Sequence, residues 1–354
     1  MKLSEASILS ENALIHQLDN RGEVAESEIL VPYWIGAAGL GKTQAVKALA
    51  VRLSEVRGVE FGCNIFSLAQ YSPEDIAGWL LPNEDKTKMN RIKPDWMPEE
   101  GTYGILFFDE LPQAIVANQN VAAQIINEHR VGDWNIPNTW VVVAAGNRTS
   151  DRAGTNQMPN HLKDRLMFLP VEANHWEWIS HMMSRKRGEQ VCAFIGFKPT
   201  ALHAVNHDED VNPTPRSWDK VCTAMIIYAS LPLAQRRNAV AGLVGAAVAA
   251  EFFAFLAVYD EIGDVDEIIR DPASAPIPDR PDVVFALCQS LASKANDKNI
   301  GNIIKYINRL EEADMGAEYS AFVMKTAIEA IPNYRQNPHV RDWVLNSGGK
   351  ELLL

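Results

Sequence analysis

Residues 29–43 read Ile29-Leu30-Val31-Pro32-Tyr33-Trp34-Ile35-Gly36-Ala37-Ala38-Gly39-Leu40-Gly41-Lys42-Thr43, and the fold is decided here. The first seven form an apolar run of strand length. The next eight fit G-x-x-x-x-G-K-[ST], a loop that wraps backbone N–H groups around phosphate. Glycines at 36, 39 and 41 let successive N–H groups face one concave side. Ala37, Ala38 and Leu40 fill the spacer. Lys42 is expected to reach the β- and γ-phosphates, and Thr43 to offer its hydroxyl to Mg²⁺. Downstream, Val46, Leu49, Ala50 and Leu53 recur at helical spacing. Strand, glycine loop and helix in that order aim a helix N-terminus at phosphate. This is the pattern of a nucleotide site.

Working outward, apolar runs at 63–68, 104–108, 140–145 and 166–171 alternate with helical segments. Together with 29–35 they predict an α/β fold, a parallel P-loop sheet flanked by helices. From 174 the pattern turns helical, predicting an all-helical lid and a helical C-terminal extension. The expected division is an N-terminal helical arm at 1–28, the α/β core at 29–173 and the lid at 174–265. A proline-rich connector at 266–281 and the extension at 282–354 follow. The arm should end in a polar turn at Asn20-Arg21-Gly22, two or three helices should fill 282–346, and the tail at Ser347-Gly348-Gly349 should fray.

The run Ile105-Leu106-Phe107-Phe108-Asp109-Glu110 places two adjacent carboxylates at the C-terminal edge of a buried strand, where open α/β sheets bind ligands. Asp109 is expected to hold Mg²⁺, and Glu110 to polarise the water that attacks the γ-phosphate. Trp140-Val141-Val142-Val143-Ala144-Ala145 ends at Gly146-Asn147. The Asn147 amide can hydrogen-bond the γ-phosphate and the attacking water, or simply cap a turn. Arg165 stands just before the last strand. Arg216 opens a helix after Pro213-Thr214-Pro215, either as a solvated first-turn residue or as a phosphate contact folded over the site.

Composition narrows the partners. The 354 residues are 47% hydrophobic and 22% charged, with a net charge of −12. Such acidity argues against a broad nucleic-acid footprint. Cys63, Cys192, Cys222 and Cys288 form no CxxC pair, so reduced buried thiols are expected. His129 and His161 have no metal-ligand partners at suitable spacing. Residues 239–259 carry Glu251 as their single charge, but a charge mid-span is costly in lipid. A buried helix packed through Gly242 and Gly245 is the expectation there, with no membrane span and a cytoplasmic location.

Taken together, the ordered motifs over residues 29–230 resemble AAA+ ATPases of the MoxR type, the group with an insert in helix 2. In that resemblance 36–43 is Walker A, 105–110 Walker B, Asn147 sensor 1, Arg165 the arginine finger and Arg216 sensor 2. Ser72-Pro73-Glu74-Asp75-Ile76-Ala77-Gly78 resembles the opening of the insert. Asn127-Glu128-His129-Arg130-Val131-Gly132 resembles the helix and hairpin before sensor 1. Two departures stand out: Leu111-Pro112-Gln113 replaces an Asn-Arg after Walker B, and Leu166 replaces the Phe of Asp-Arg-Phe. Arg148 and Arg152 are further finger candidates.

The resemblance implies ATP and Mg²⁺ as cofactors and a homo-oligomeric, hexameric ring with ATP hydrolysed at subunit interfaces. It also implies the remodelling of a protein client, with a separate von Willebrand factor A-type polypeptide as partner. The alternative is an AAA+ nucleic-acid motor or loader, which the basic cluster Lys86, Lys88, Arg91 and Lys93 would serve. Residues 83–98 with Trp96, and the hairpin at 131–139 with Trp134, are expected either to project as a working surface or to carry the two tryptophans as buried props for the insert.

Overall fold

The computed structural model describes residues 1–20, 23, 28–148, 156–206, 208–259, 262, 264–313, 317–330 and 336–346. The chain divides into two compact units, Met1–Glu172 and Ala173–Leu354. Arg152, the Arg21-Gly22 turn and the 347–349 tail lie outside the described residues.

In the first unit, α1 (Leu3–Asn20) precedes β1 (Val31–Ile35) and α2 (Lys42–Arg57). Then come β2 (Phe61–Ser67), α3 (Pro73–Ala77), the short hairpin β3 (Leu80–Pro82) and β4 (Met89–Arg91), and β5 (Tyr103–Asp109). A single-turn helix over Leu111–Gln113 leads to α4 (Val116–Glu128) and the hairpin β6 (Arg130–Val131) and β7 (Trp134–Asn135). The unit closes with β8 (Trp140–Gly146), α5 (Asn160–Lys163) and β9 (Leu166–Pro170). Five strands form one parallel sheet in the order β2-β5-β8-β1-β9. The expected strands therefore appear within two residues of their predicted ends.

Both faces of this sheet are buried, which is why its strands read as continuous apolar runs rather than alternating ones. Trp34, Ile105, Phe107, Val141, Val143 and Ala145 pack with Val46, Leu49 and Leu53 of α2 on one face. Tyr33, Leu106, Phe108, Val142 and Ala144 pack with Ala122, Ala123 and Ile126 of α4 on the other. Pro32 sits at the buried start of β1, where it aligns with β9 before the pairing with β8 begins at Tyr33. Its missing N–H therefore costs the ladder little.

The N-terminal helix is built into this core. Ser10 Oγ donates to Ala6 O at 2.7 Å and accepts from the buried Trp34 Nε1 at 2.8 Å. Gln17 Nε2 donates to Leu30 O at 2.6 Å, and the ion pairs Arg52–Glu11 (3.0 Å) and Arg57–Asp19 (2.7 Å) clasp α1 to α2.

In the insert the packing matches the second of the two readings. Trp96 is half-buried, stacked edge-on against Phe66 at 4.8 Å, and its Nε1 donates to Ile76 O at 3.0 Å. Trp134 is half-buried against the same core. Trp96 is a prop for the insert, since an indole with a satisfied N–H and an aromatic neighbour gains more inside than out. The exposed apolar side chains are instead Trp79, Leu80, Leu81, Met89 and Ile92, on and beside the β3–β4 hairpin. Ser72 caps α3 by reciprocal hydrogen bonds with Asp75, which hold the Asp75 carboxyl below its ordinary range.

The second unit is helical throughout its described residues: α6 (His175–Ser184), α7 (Glu189–Phe197), α8 (Pro215–Ile227), α9 (Leu233–Val244), α10 (Ala246–Tyr259) and α11 (Val265–Arg270). Beyond the proline-rich stretch come α12 (Pro281–Lys294), α13 (Ile300–Glu312), α14 (Ala317–Ala330) and α15 (Pro338–Asn346), four helices where two or three were expected. These later helices fold back on the earlier ones: Phe285 of α12 lies 5.9 Å from Phe197 of α7, and Phe322 of α14 lies 5.1 Å from Trp176 of α6. The stretch of residues 239–259 is not one helix. α9 ends at Gly245, at φ 88°, and α10 starts afresh. Gly242 makes no close approach, whereas a Cβ on Gly245 would lie 3.1 Å from Val211 O. Among the described residues no helix is long and apolar enough to cross a membrane. All four cysteines are free, and burial pushes the Cys222 and Cys288 thiols up to about 12.

Removing the Ser10 hydroxyl would strand the Trp34 indole N–H inside the protein. Ser10→Ala is expected to lower the stability of the first unit by about 1–3 kcal/mol, read as a fall in its unfolding midpoint. An unchanged midpoint would show that α1 does not brace the sheet.

Candidate functional site

The loop between β1 and α2 is shaped by two glycines. Gly41 sits at φ 91° and is the N-cap of α2, contributing no side-chain cap. The first N–H groups of α2 consequently face outward with the positive end of the helix dipole, an arrangement suited to phosphate. Gly36 donates its N–H to Gly146 O at 3.1 Å, tying the loop to the tip of β8. A Cβ on Gly36 would lie 2.5 Å from Val171 O, so only glycine fits between the loop and the end of β9.

Lys42 is buried, at 7% exposure. Its ammonium donates to Gly36 O at 2.6 Å and Ala37 O at 2.8 Å, and reaches Asn147 Oδ1 at 3.4 Å. A buried cation needs such partners, and these carbonyls hold Lys42 over the concave side of its own loop. One residue on, Thr43 Oγ1 donates to Asp109 Oδ2 at 2.7 Å. The pair brings a hydroxyl and a carboxylate together at the C-terminal edge of β5. Hard oxygen donors of this kind suit Mg²⁺, which binds proteins through few ligands and shares the rest with phosphate and water. The donor chemistry fits the expected metal.

Glu110 has an unusual backbone. It is a non-glycine residue at φ 56° and ψ 31°, in the left-handed region. The conformation costs about 1–2 kcal/mol and turns the chain sharply out of β5 into the Leu111–Gln113 turn. Its N–H donates to Asp109 Oδ1 at 3.0 Å, so both Asp109 oxygens are engaged. The Glu110 side chain is exposed, and its Oε2 accepts from Ser67 Oγ at 2.7 Å. Ser67 stands at the end of β2, level with Asp109 in the adjacent strand.

Sequence reading missed Ser67. The register of β2 beside β5 was the signal that could have found it, since a strand predicted over 63–68 ends beside the two carboxylates. The departure at Leu111-Pro112-Gln113 also acquires a reason. A Cβ on Gly146 would meet Pro112 Cδ at 2.3 Å and the Tyr33 hydroxyl at 2.6 Å, so the turn lies flat on the tip of β8. Burial of that Tyr33 hydroxyl raises its pKa.

Lys42, Thr43, Asp109, Glu110 and Asn147 thus converge on the C-terminal edge of the sheet. Arg165 belongs to the same unit but bonds elsewhere: its Nε donates to Asn127 Oδ1 at 2.9 Å and its Nη1 to His161 O at 3.0 Å. Arg148 is committed to Val171 O at 3.1 Å and to the Glu172 carboxylate at 3.3 Å. Arg216 is exposed in the first turn of α8, in the second unit, behind a Thr214–Ser217 capping box.

No family model matches the chain, and no curated protein matches it either. Solved structures do share parts of its course. A mutant of RuvB from Thermotoga maritima aligns at 15% identity over 82% of this chain and 84% of its own, with a TM-score of 0.38. NtrX from Brucella abortus aligns at 16% identity over 90% of this chain and 68% of its own, with a TM-score of 0.40. With overlap this partial, the site's own geometry is what identifies its chemistry.

Gly36→Ala is expected to force the loop off β9 at an overpacking cost of about 1–3 kcal/mol, with nucleotide binding weakened in parallel. Calorimetric binding of ATP together with the thermal midpoint checks this. A variant that binds and melts like the parent would mean that the loop moves without consequence.

Proposed function

We propose that the chain is a Mg²⁺-dependent ATP hydrolase of the AAA+ class. The observation that carries this reading is the Thr43–Asp109 hydrogen bond of 2.7 Å, beside a buried Lys42 and an adjacent Glu110. The loop N–H groups and Lys42 cradle the β- and γ-phosphates. Mg²⁺, held through Thr43 and Asp109, would neutralise charge on the phosphate oxygens. Glu110 takes the proton of the attacking water, and Asn147 orients that water against the γ-phosphate. In the present geometry Ser67 restrains the Glu110 carboxylate, so turnover requires that bond to loosen or share its acceptor with water.

Arg165 supplies the remaining positive charge from a neighbouring subunit. Among the described residues Lys42 is the one cation bonded within the cluster, and a triphosphate beside two carboxylates demands more. The reading extends, on the sequence resemblance, to a hexameric ring of MoxR type. There Arg216 couples nucleotide state to lid position, and hydrolysis remodels a protein client presented with a von Willebrand factor A-type partner. The nucleic-acid alternative is weakened by the insert itself. Arg91, one of its four basic residues, is spent on Ala77 O (2.9 Å) and Gly78 O (3.1 Å).

Two experiments test this. Lys42→Ala should lose ATP binding, whereas Glu110→Gln should bind ATP normally and hydrolyse it at least about 100-fold more slowly, in the range general-base removal gives. Turnover near the parent's in Glu110→Gln would remove that residue from the base role. Mixing Glu110→Gln subunits with Arg165→Ala subunits should restore hydrolysis, because one interface class then pairs an intact Glu110 with an intact Arg165. Persistent inactivity, with subunit exchange demonstrated, would rule out a finger acting in trans.

A further inference from the structure

The cation at Arg165 is held in an unusual way. The guanidinium is held at two points, by Asn127 Oδ1 on Nε and by His161 O on Nη1. Both acceptors are neutral, so they fix its plane without cancelling its charge. Among the described residues Arg165 makes no ion pair, whereas Arg148 meets the Glu172 carboxylate at 3.3 Å. Glu128, beside Asn127 in sequence, is taken up by Arg130 at 2.7 Å and by Gln124 at 3.1 Å. Of the five N–H donors of a guanidinium, the two engaged here leave Nη2 and half of Nη1 as a fork.

Asn127 is placed to do this by a rigid element. It is the penultimate residue of α4, whose Ala123 and Ile126 are buried in the core beneath the sheet. The helix stops immediately after it. His129 adopts φ 51°, its N–H closes on Ile125 O at 3.0 Å, and its Nε2 lies 3.2 Å from Pro137 O. α4 therefore presents the Asn127 amide from a fixed point, while the His161 carbonyl comes from α5, one turn before Arg165 itself.

We propose that Asn127 is the positioning residue of the arginine finger. It holds the Arg165 guanidinium in one plane, with its fork directed outward, so that it meets the neighbouring subunit's γ-phosphate with little further ordering. This rests on the reading of Arg165 as a finger. Asn127 touches neither nucleotide nor water; it acts through Arg165 alone.

The test uses full-length rings. Asn127→Leu keeps the shape and removes the acceptor; Asn127→Gln returns a neutral amide acceptor on a side chain one methylene longer. Asn127→Leu is expected to lower kcat by about 10- to 100-fold, the effect of a misplaced catalytic group. Its KM for ATP and thermal midpoint should stay close to the parent's, and Asn127→Gln should recover more turnover than Asn127→Leu. Asn127→Leu subunits should regain activity when mixed with Glu110→Gln subunits. Adding Asn127→Leu to Arg165→Ala should cost nothing further, since the two act as one unit.

Parent-like kcat in Asn127→Leu overturns the proposal, and so does a double variant whose losses multiply. A loss that comes with a lowered midpoint and a changed KM, and that Asn127→Gln does not relieve, also overturns it and leaves Asn127 as a staple between α4 and α5. An Arg165→Ala ring with undiminished kcat would instead sink the finger reading itself. Loss in Arg165→Ala with none in Asn127→Leu would spare that reading and reject the positioning role alone.

Discussion

One hydrogen bond ties the phosphate loop to the carboxylates, and the site depends on it. Thr43 belongs to the helix that follows β1, and Asp109 to the end of β5, two strands away with β8 between them. The bond at 2.7 Å can form only if all three strands end level, which the parallel register enforces: Ile35 aligns with Gly146, and Phe108 with Ala144. Position at the edge is thus inherited from the apolar interiors of the strands. Any slip of one residue in β5 would turn Asp109 away and expose half of Ile105-Leu106-Phe107-Phe108 to the wrong face. The same buried residues that stabilise the sheet therefore set the spacing of the donors.

Strain is concentrated where the chemistry is placed. Glu110 occupies left-handed backbone, and Pro112 is pressed onto Gly146, so the chain leaves β5 in a turn that a relaxed sequence would avoid. The cost, about 1–2 kcal/mol, is offset by what surrounds it. Leu111 is fully buried, and Asn156 donates through its backbone to Pro112 O at 2.6 Å and through its amide to Ala114 O at 2.9 Å. The turn frees the Glu110 side chain from the strand's alternation and leaves it exposed beside Ser67. In the proposed role, a carboxylate that exchanges partners during turnover would be better held by one hydroxyl than by a buried ion pair, which would be costly to break.

What was legible in sequence was local. The five strands show as apolar runs because both faces of the sheet are covered, and the glycine loop shows because its backbone geometry admits few residues. Thr43, Asp109, Glu110 and Asn147 follow from motif order along those strands. Ser67 and Asn127 were invisible for the opposite reason. Each is an ordinary polar residue whose importance lies in a partner 43 or 38 positions away. The placement of Trp96 and Trp134 stayed open in sequence because composition reports polarity of the segment, not the packing of one ring; Trp96 is held by Phe66, far from its neighbours in sequence. Likewise the apolar stretch 239–259 carries no sign that Gly245 will end a helix in its middle.

Charge accounts for why the site looks unfinished within one chain. The cluster joins two carboxylates, Asp109 and Glu110, to one ammonium, Lys42, which is itself held by two carbonyls. A divalent ion at Thr43 and Asp109 would balance the carboxylates, leaving a polyphosphate with a single lysine against several negative charges. Charge that builds on the transferred group needs donors already in place, because reorganising them during the reaction would cost what they supply. Arg148 is spent on Glu172, whereas Arg165 is anchored by neutral groups alone. Within its own unit Arg165 bridges α4 and α5 through Asn127 and His161, a bridge that leaves its charge uncompensated by any carboxylate among the described residues. On the proposed reading that charge would come into use when a second copy brings a phosphate to it, and hydrolysis would then depend on assembly.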